Sequence, residues 1–145
     1  IGCDAENTFK EKFYVKVTNQ EIISTKISMQ NSVYRRHLNG RIFANDPDVF
    51  FLRDDGMKPA VYTWQQKKLL ALVNHIFGDV LFVSDDIGQY DSAKMAVLVE
   101  SYQKFDGKVI SAEHIAPEVI KVTYEEGGKT RMLVFDGVTG DYIVQ

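Results

Sequence analysis

The chain has 145 residues, and its 45% hydrophobic content is enough to bury the core of one domain with a small appendage. The formal net charge is −3 and no basic stripe runs along the sequence, which argues against nucleic acid as a partner. The single cysteine excludes an internal disulfide framework and indicates a reducing, cytoplasmic compartment, and no apolar run is long enough to cross a bilayer.

The first predicted element is a helix that begins at Thr18 or Asn19 and ends near Arg36, with apolar residues at spacings of three and four. Before it, Ile1-Gly2-Cys3-Asp4 has neither an initiator Met nor the pattern of a secretion leader. We therefore expect the sequence to be a fragment of a longer protein. After the helix, Asn39-Gly40 forms a break.

An acidic motif follows a predicted strand. Residues 41–44 are rich in β-branched and aromatic side chains, which predicts a short buried strand. Pro47 stops the strand because it has no N–H to donate, and Asp46 and Asp48 flank it. Carboxylates beside apolar chain are costly unless they are hydrogen-bonded, paired or bound to a ligand. The motif therefore indicates either a turn or a binding site.

The best-defined helix begins after Thr63, which forms a capping box with Gln66, and Gly78 stands where a left-handed residue would end it. Residues 80–83 are apolar throughout, as is typical of a strand in a parallel sheet covered on both faces. This strand leads into a second acidic cluster, Ser84-Asp85-Asp86.

Ser92 is predicted to cap a further helix, which ends near Gln103 and buries one apolar stripe: Met95, Leu98, Val99 and Tyr102. The order is therefore helix, strand, helix, strand, helix. Successive βα units bring the carboxyl ends of their strands to one face of the sheet, where α/β folds build their sites. The two acidic clusters are thus expected to lie together in a functional site.

The pattern changes near residue 106. Short alternating runs predict a small antiparallel β domain, with hairpin turns at Glu126-Gly127-Gly128 and Asp136-Gly137. Its predicted strands are Val109-Ile110, 118–125, 129–135 and 142–144. We expect two domains, residues 1–104 and residues 107–145.

Three motifs carry a resemblance to a known family. Residues 35–53, RRHLNGRIFANDPDVFFLR, resemble bacterial α-galactosidases (melibiases) of the family 36 glycoside hydrolases. Residues 77–86, FGDVLFVSDD, are similar to the segment that follows in those enzymes, and Ile1-Gly2-Cys3-Asp4 is similar to the motif of their general acid/base. The order and spacing of the motifs match over roughly residues 1–100.

The resemblance implies that this α/β chain is the C-terminal part of a (β/α)8 barrel, about two βα units, followed by a small antiparallel β domain. It implies Asp4 as general acid/base, with Asp48 and, less strongly, Asp46 in contact with the sugar. The substrates would be α-galactosides such as melibiose or raffinose-type sugars, with no cofactor and no metal. The family's nucleophilic aspartate would lie upstream of Ile1, so the chain alone is expected to be inactive and to self-associate through open strand edges.

Two alternatives stay open at this point. Asp85 and Asp86 could hold a divalent cation at a strand end in a metal-dependent α/β domain. The chain could also be a non-catalytic carbohydrate-binding or assembly module in which the β tail carries the function.

Overall fold

The computed structural model describes residues 25–47, 51–53 and 62–145. Within these ranges three helices precede a four-stranded antiparallel sheet with strand order β1-β2-β3-β4. The helices are α1 (Thr25–Tyr34), α2 (Trp64–Phe77) and α3 (Ser92–Tyr102), and single 3-10 turns lie at Arg36–Leu38 and Ile87–Gln89. The strands are β1 (Lys108–Ala116), β2 (Val119–Glu126), β3 (Lys129–Asp136) and β4 (Tyr142–Val144). The predicted combination of helices with a small antiparallel β unit is confirmed.

Helix α2 begins as the sequence predicts. The Thr63 hydroxyl accepts the Gln66 N–H, and the Gln66 side chain accepts the Thr63 N–H, so two free donors of the first turn are satisfied. Its end differs from the prediction, because Gly78 is extended, with φ −93°, rather than left-handed. A Cβ at Gly78 would lie 2.6 Å from the Asn74 carbonyl oxygen and 3.0 Å from Pro47 Cδ. Glycine is needed here because the chain around Pro47 packs against this helix end.

Helix α3 buries less than predicted. Its N-cap is Asp91, one residue before the predicted Ser92, and its carboxylate accepts the Lys94 N–H. Leu98 is buried, but Met95, Val99 and Tyr102 are 38%, 53% and 59% exposed. The prediction of a buried stripe is wrong because α2 covers only the side of α3 that carries Leu98 and Ser101. None of the helices in the described ranges has the length and apolar character needed to cross a membrane.

The sheet supplies the other half of the core. Its strands pair as a meander, and β2 alternates between inward apolar and outward polar residues, as predicted. Gly127 and Gly128 both take positive φ in the β2–β3 turn, which confirms the predicted hairpin. The inward row packs with apolar residues of α1 and α2 in one cluster that includes Met29, Val33, Leu69, Leu70, Val73, Ile120, Val122, Tyr124, Leu133 and Phe135.

Two predicted strands do not form strands of the sheet. Residues 41–44 lie in a turn in which Phe43 forms an isolated bridge with Asn39, and residues 80–83 contain a bridge position only at Val83. Ile42 is 74% exposed and Phe82 is 53% exposed, so neither segment is buried as predicted. A strand requires a continuous partner edge, which an apolar run cannot supply by itself. The Asn45 carbonyl oxygen accepts the N–H groups of Asp79 and Val80, and this junction is not extended into a ladder within the described residues.

Candidate functional site

The chain after the first predicted strand lies beside the second predicted strand and runs in the same direction. Asn45 contacts the start of the second segment, because its carbonyl oxygen accepts the Asp79 N–H at 2.9 Å and its side-chain amide donates to the Phe77 carbonyl at 2.8 Å. Further along both segments, the N–H groups of residues 52 and 53 reach Asp85. The two stretches are therefore neighbouring and co-directional, but the first acidic cluster lies at the start of this contact and Asp85 at its other end, so the contacts do not bring the two clusters together.

The Asp85 carboxylate is the centre of this region. Its Oδ2 accepts the Leu52 N–H at 2.6 Å, the Arg53 N–H at 3.0 Å and the Tyr90 hydroxyl. Its side chain has no exposed surface, and Arg53 Nε lies 3.7 Å from Oδ1. Oδ1 itself has no hydrogen-bond partner among the described residues. We call Asp85, the Leu52 and Arg53 N–H groups and the Tyr90 hydroxyl the Asp85 clamp.

Tyr90 stays protonated and donates a hydrogen bond to Asp85. Burial raises the pKa of the Tyr90 phenol well above its usual range, and the hydrogen bond to Asp85 and the negative charge of Asp85 raise it further. The phenol is therefore a hydrogen-bond donor, and it compensates the buried carboxylate. The site fixes the chain at residues 52 and 53 through a charge that is buried but well bonded.

A buried cation contacts the same two residues from the other side. Lys67, on α2, is only 1% exposed, and its Nζ donates to the Arg53 carbonyl oxygen at 2.5 Å, with the Leu52 carbonyl oxygen at 3.5 Å. It also lies 5.8 Å from the Phe51 ring centroid. Residues 51–53 are consequently held by Lys67 through their carbonyls and by Asp85 through their N–H groups.

The chain before the first acidic cluster is anchored too. The Ser28 hydroxyl, on α1, donates to the Pro47 carbonyl oxygen, and the Asn45 N–H donates to the Asn39 side chain at 2.7 Å. Asn45 is itself buried. Residues 45, 47, 52 and 53 are thus bound to helices α1 and α2 or to Asp85.

Only some of the predicted acidic residues lie in the part of the chain that the structure describes. Asp46 is exposed beside the buried Asn45 and Pro47, whereas Asp4 and Asp48 lie outside the described residues. Asp86 is exposed and caps the 3-10 turn at Ile87–Gln89 by accepting the Gly88 N–H.

Metal binding gains no support from this arrangement. No group of three or more potential metal ligands occurs in the part of the chain that the structure describes. Asp85 is committed to protein donors through Oδ2, and Asp86 points into its own turn.

Three residues of the site were not singled out from the sequence: Arg53, Lys67 and Tyr90. Lys67 did carry a signal, because it shares one face of α2 with the buried Leu70, Ala71 and Asn74. A lysine on an apolar helix face requires a buried acceptor. Tyr90 and Arg53 gave no comparable signal, since both are ordinary in turns and loops.

Comparison with known proteins adds no assignment: no protein-family model matches the chain, and no curated protein matches it.

Proposed function

We propose that this chain is the C-terminal part of a retaining α-galactosidase, comprising the last two βα units of a (β/α)8 barrel and the antiparallel β domain that follows. Asp4 is the general acid/base, and Asp48, with Asp46 beside it, contacts the galactose unit. The nucleophile lies on a preceding part of the protein. The substrates are terminal α-galactosides of the melibiose and raffinose type.

One observation carries the proposal beyond the sequence motifs. The chain after the first predicted strand contacts both ends of the second, through Asn45 at residues 79 and 80 and through residues 52 and 53 at Asp85, so the two stretches run in the same direction. Neighbouring stretches with this direction are what adjacent βα units of a barrel require. The small antiparallel sheet after α3 is also of the kind that follows the barrel in the resembling family.

The clamp supports a binding role for the first acidic motif. A carboxylate that contacts a sugar must be held within a fraction of an ångström of its working position. The motif's flanks are fixed by Ser28 and Asn45 on one side and by Lys67 and Asp85 on the other. A simple turn does not require this many buried hydrogen bonds.

The chemistry assigns different tasks to two carboxyl groups. In a retaining glycosidase one carboxylate attacks the anomeric carbon, while the other protonates the leaving oxygen and then removes a proton from water. Asp4 performs the second task, so it must hold a proton in the resting enzyme. This chain supplies no attacking group under the proposal, and it is therefore expected to bind but not to hydrolyse α-galactosides.

The test uses Asp4→Ala in the complete enzyme with two substrates. Melibiose has a sugar leaving group that needs a proton, whereas an activated aryl α-galactoside releases a stable phenolate. We expect melibiose hydrolysis to fall by about 100-fold or more, with a much smaller loss in the first step for the aryl substrate. Added azide should restore turnover of the aryl substrate by giving the α-galactosyl azide, because azide needs no general base.

The matched control is Asp106→Ala, which removes an exposed aspartate before β1 and should leave both rates unchanged. Equal and small losses on the two substrates, or no azide product, would show that Asp4 is not the acid/base. Hydrolysis by the 145-residue chain alone would contradict the placement of the nucleophile.

A further inference from the structure

A cavity of about 250 Å³ lies between helices α2 and α3 and the inner face of the sheet, remote in the chain from Asp4 and Asp48. Its apolar wall includes Leu72, Val97 and Val144, and the Tyr124 and Tyr142 side chains line it from the sheet. We call it the helix–sheet cavity. At about 30 Å³ for each water in the liquid, its volume corresponds to roughly eight waters, the size of a single small-molecule unit.

One end of the cavity is polar and preorganised. The inward row of the sheet changes from apolar to charged after Tyr124, so that Glu126 and Arg131 face the helices. His75 Nε2 lies 2.8 Å from Glu126 Oε1, and Arg131 Nε lies 3.6 Å from Glu126 Oε2. His75 Nδ1 is also 3.0 Å from the Gln103 carbonyl oxygen. Glu126 is therefore fixed and its charge is compensated before any ligand arrives.

Two other charged groups line the cavity without partners. Lys68 on α2 and Glu100 on α3 make no hydrogen bond or ion pair within the described part of the chain. Their charges are opposite, so together the two side chains add no net charge to the cavity mouth. A hydrogen bond to a charged group is among the stronger ones, whereas an exposed ion pair contributes little. Ligand hydroxyls would therefore gain more here than a ligand charge.

The two tyrosines supply donors and flat apolar surface. Burial raises the pKa of both phenols, with the negative charge of Glu126 adding at Tyr124 and that of Glu100 adding at Tyr142. Both hydroxyls therefore stay protonated as donors. Tyr124 is 2% exposed and is fixed against Phe105, at a ring-centroid distance of 6.0 Å. Such rings present one face to the C–H groups of a ligand and a hydroxyl to its oxygens.

We propose that the helix–sheet cavity binds one neutral, polyhydroxylated ring, that is, a single monosaccharide unit. Glu100 accepts hydrogen bonds from the ligand hydroxyls, Lys68 and Tyr142 donate to its oxygens, and Leu72, Val97 and Val144 form the apolar wall. Glu126, held by His75 and Arg131, closes the polar end. This is a binding site without chemistry, and it does not rest on the glycosidase proposal.

The experiment titrates the full 145-residue chain with methyl α-D-galactoside and with glucose, followed by amide chemical shifts in nuclear magnetic resonance. We expect saturable shifts with at least one sugar, at residues of α2, α3, β2 and β4 that surround the cavity. Glucuronic acid and leucine serve as anionic and zwitterionic probes of similar size, and both should bind at least about tenfold more weakly, one factor of ten in the dissociation constant.

Variants locate the site. Glu100→Gln and Tyr142→Phe keep the shape of the wall and should each raise the sugar dissociation constant about tenfold. Glu125→Gln is the matched control, because Glu125 is exposed and neighbours Glu126 on the same strand. It should leave binding unchanged. Thermal unfolding of all three variants should match that of the original chain, which separates loss of ligand from loss of fold.

Four results would overturn the proposal: no saturable shifts with either sugar, equal weakening by Glu125→Gln and Glu100→Gln, unchanged binding in Glu100→Gln and Tyr142→Phe, or tighter binding of leucine than of sugar.

The galactoside site of the proposed function is distinguished by Asp4→Asn. Binding that survives Asp4→Asn and is lost in Glu100→Gln supports the helix–sheet cavity. The reverse pattern places the sugar at Asp4 and refutes the cavity site.

Discussion

Replacing Asp85 by alanine tests whether the clamp holds the chain together. The substitution removes the acceptor of three donors, the Leu52 N–H, the Arg53 N–H and the Tyr90 hydroxyl. A buried donor left without a partner costs about 1–3 kcal/mol. Water entering the space would recover part of this, and the loss also removes the carboxylate that Arg53 Nε faces at 3.7 Å. We expect a total near 3–5 kcal/mol, the cost of breaking a buried charged pair.

This loss is large beside the stability of an ordinary domain, about 5–15 kcal/mol. In urea the unfolding midpoint should fall with little change in the dependence on denaturant, and the melting temperature should fall by roughly 10 °C. Asp85→Asn keeps the shape and one acceptor oxygen, so it should cost less than Asp85→Ala.

The control is the adjacent Asp86→Ala. Asp86 is exposed and satisfies only its own turn, so its loss should cost about 1 kcal/mol, as for a capping residue. Equal unfolding midpoints for Asp85→Ala and Asp86→Ala would refute the assignment of the buried clamp, since burial is the main difference between the two carboxylates.

Two further predictions concern tyrosines. The Tyr34 hydroxyl is buried without a partner among the described residues, so Tyr34→Phe should raise the free energy of unfolding by roughly 0.5–1 kcal/mol. Tyr62→Phe should lower it by about 1 kcal/mol, because it breaks the 2.6 Å bond to Thr25. Urea unfolding measures both, and the same sign for both would contradict the hydrogen-bond assignment. Burial raises the pKa of Tyr34, Tyr90, Tyr124 and Tyr142 above the ordinary value of 10.0. The folded chain therefore keeps protons that the unfolded chain loses, so stability is unaffected well below pH 10 and falls as pH rises above about 10. The difference in phenolate absorbance between the original chain and each of the four Tyr→Phe variants isolates these phenols, and a phenolate signal from them that precedes unfolding would contradict this order.

Local signals in the sequence predicted local structure well. The capping box of Thr63 and Gln66 and the glycine pair at 127 and 128 involve neighbours only, and both form as predicted. The alternation along β2 was also enough to predict that strand, because antiparallel strands joined by tight turns pair with neighbours that are close in sequence.

Signals that depend on distant partners failed or were ambiguous. The apolar runs at 41–44 and 80–83 were predicted as strands, but the sequence of an apolar run does not specify which strand it would pair with. Asp85 and Asp86 are adjacent and chemically identical, yet one is buried and the other caps an exposed turn. The helix–sheet cavity likewise combines His75 and Glu126, which are far apart in the sequence and gave no joint pattern.

The position of Lys67 and Asp85 on opposite sides of the same peptide groups has an evolutionary consequence. The carbonyls of residues 52 and 53 face the cation and their N–H groups face the anion, so the two buried charges are compensated through the backbone without touching side chain to side chain. Losing either charge leaves the same two peptide groups without one of their hydrogen-bond partners. Among descendants of a common ancestor, the residues at 67 and 85 should therefore be retained together, and residues 52 and 53 should vary little as well, because Leu52 is buried and Arg53 faces Asp85.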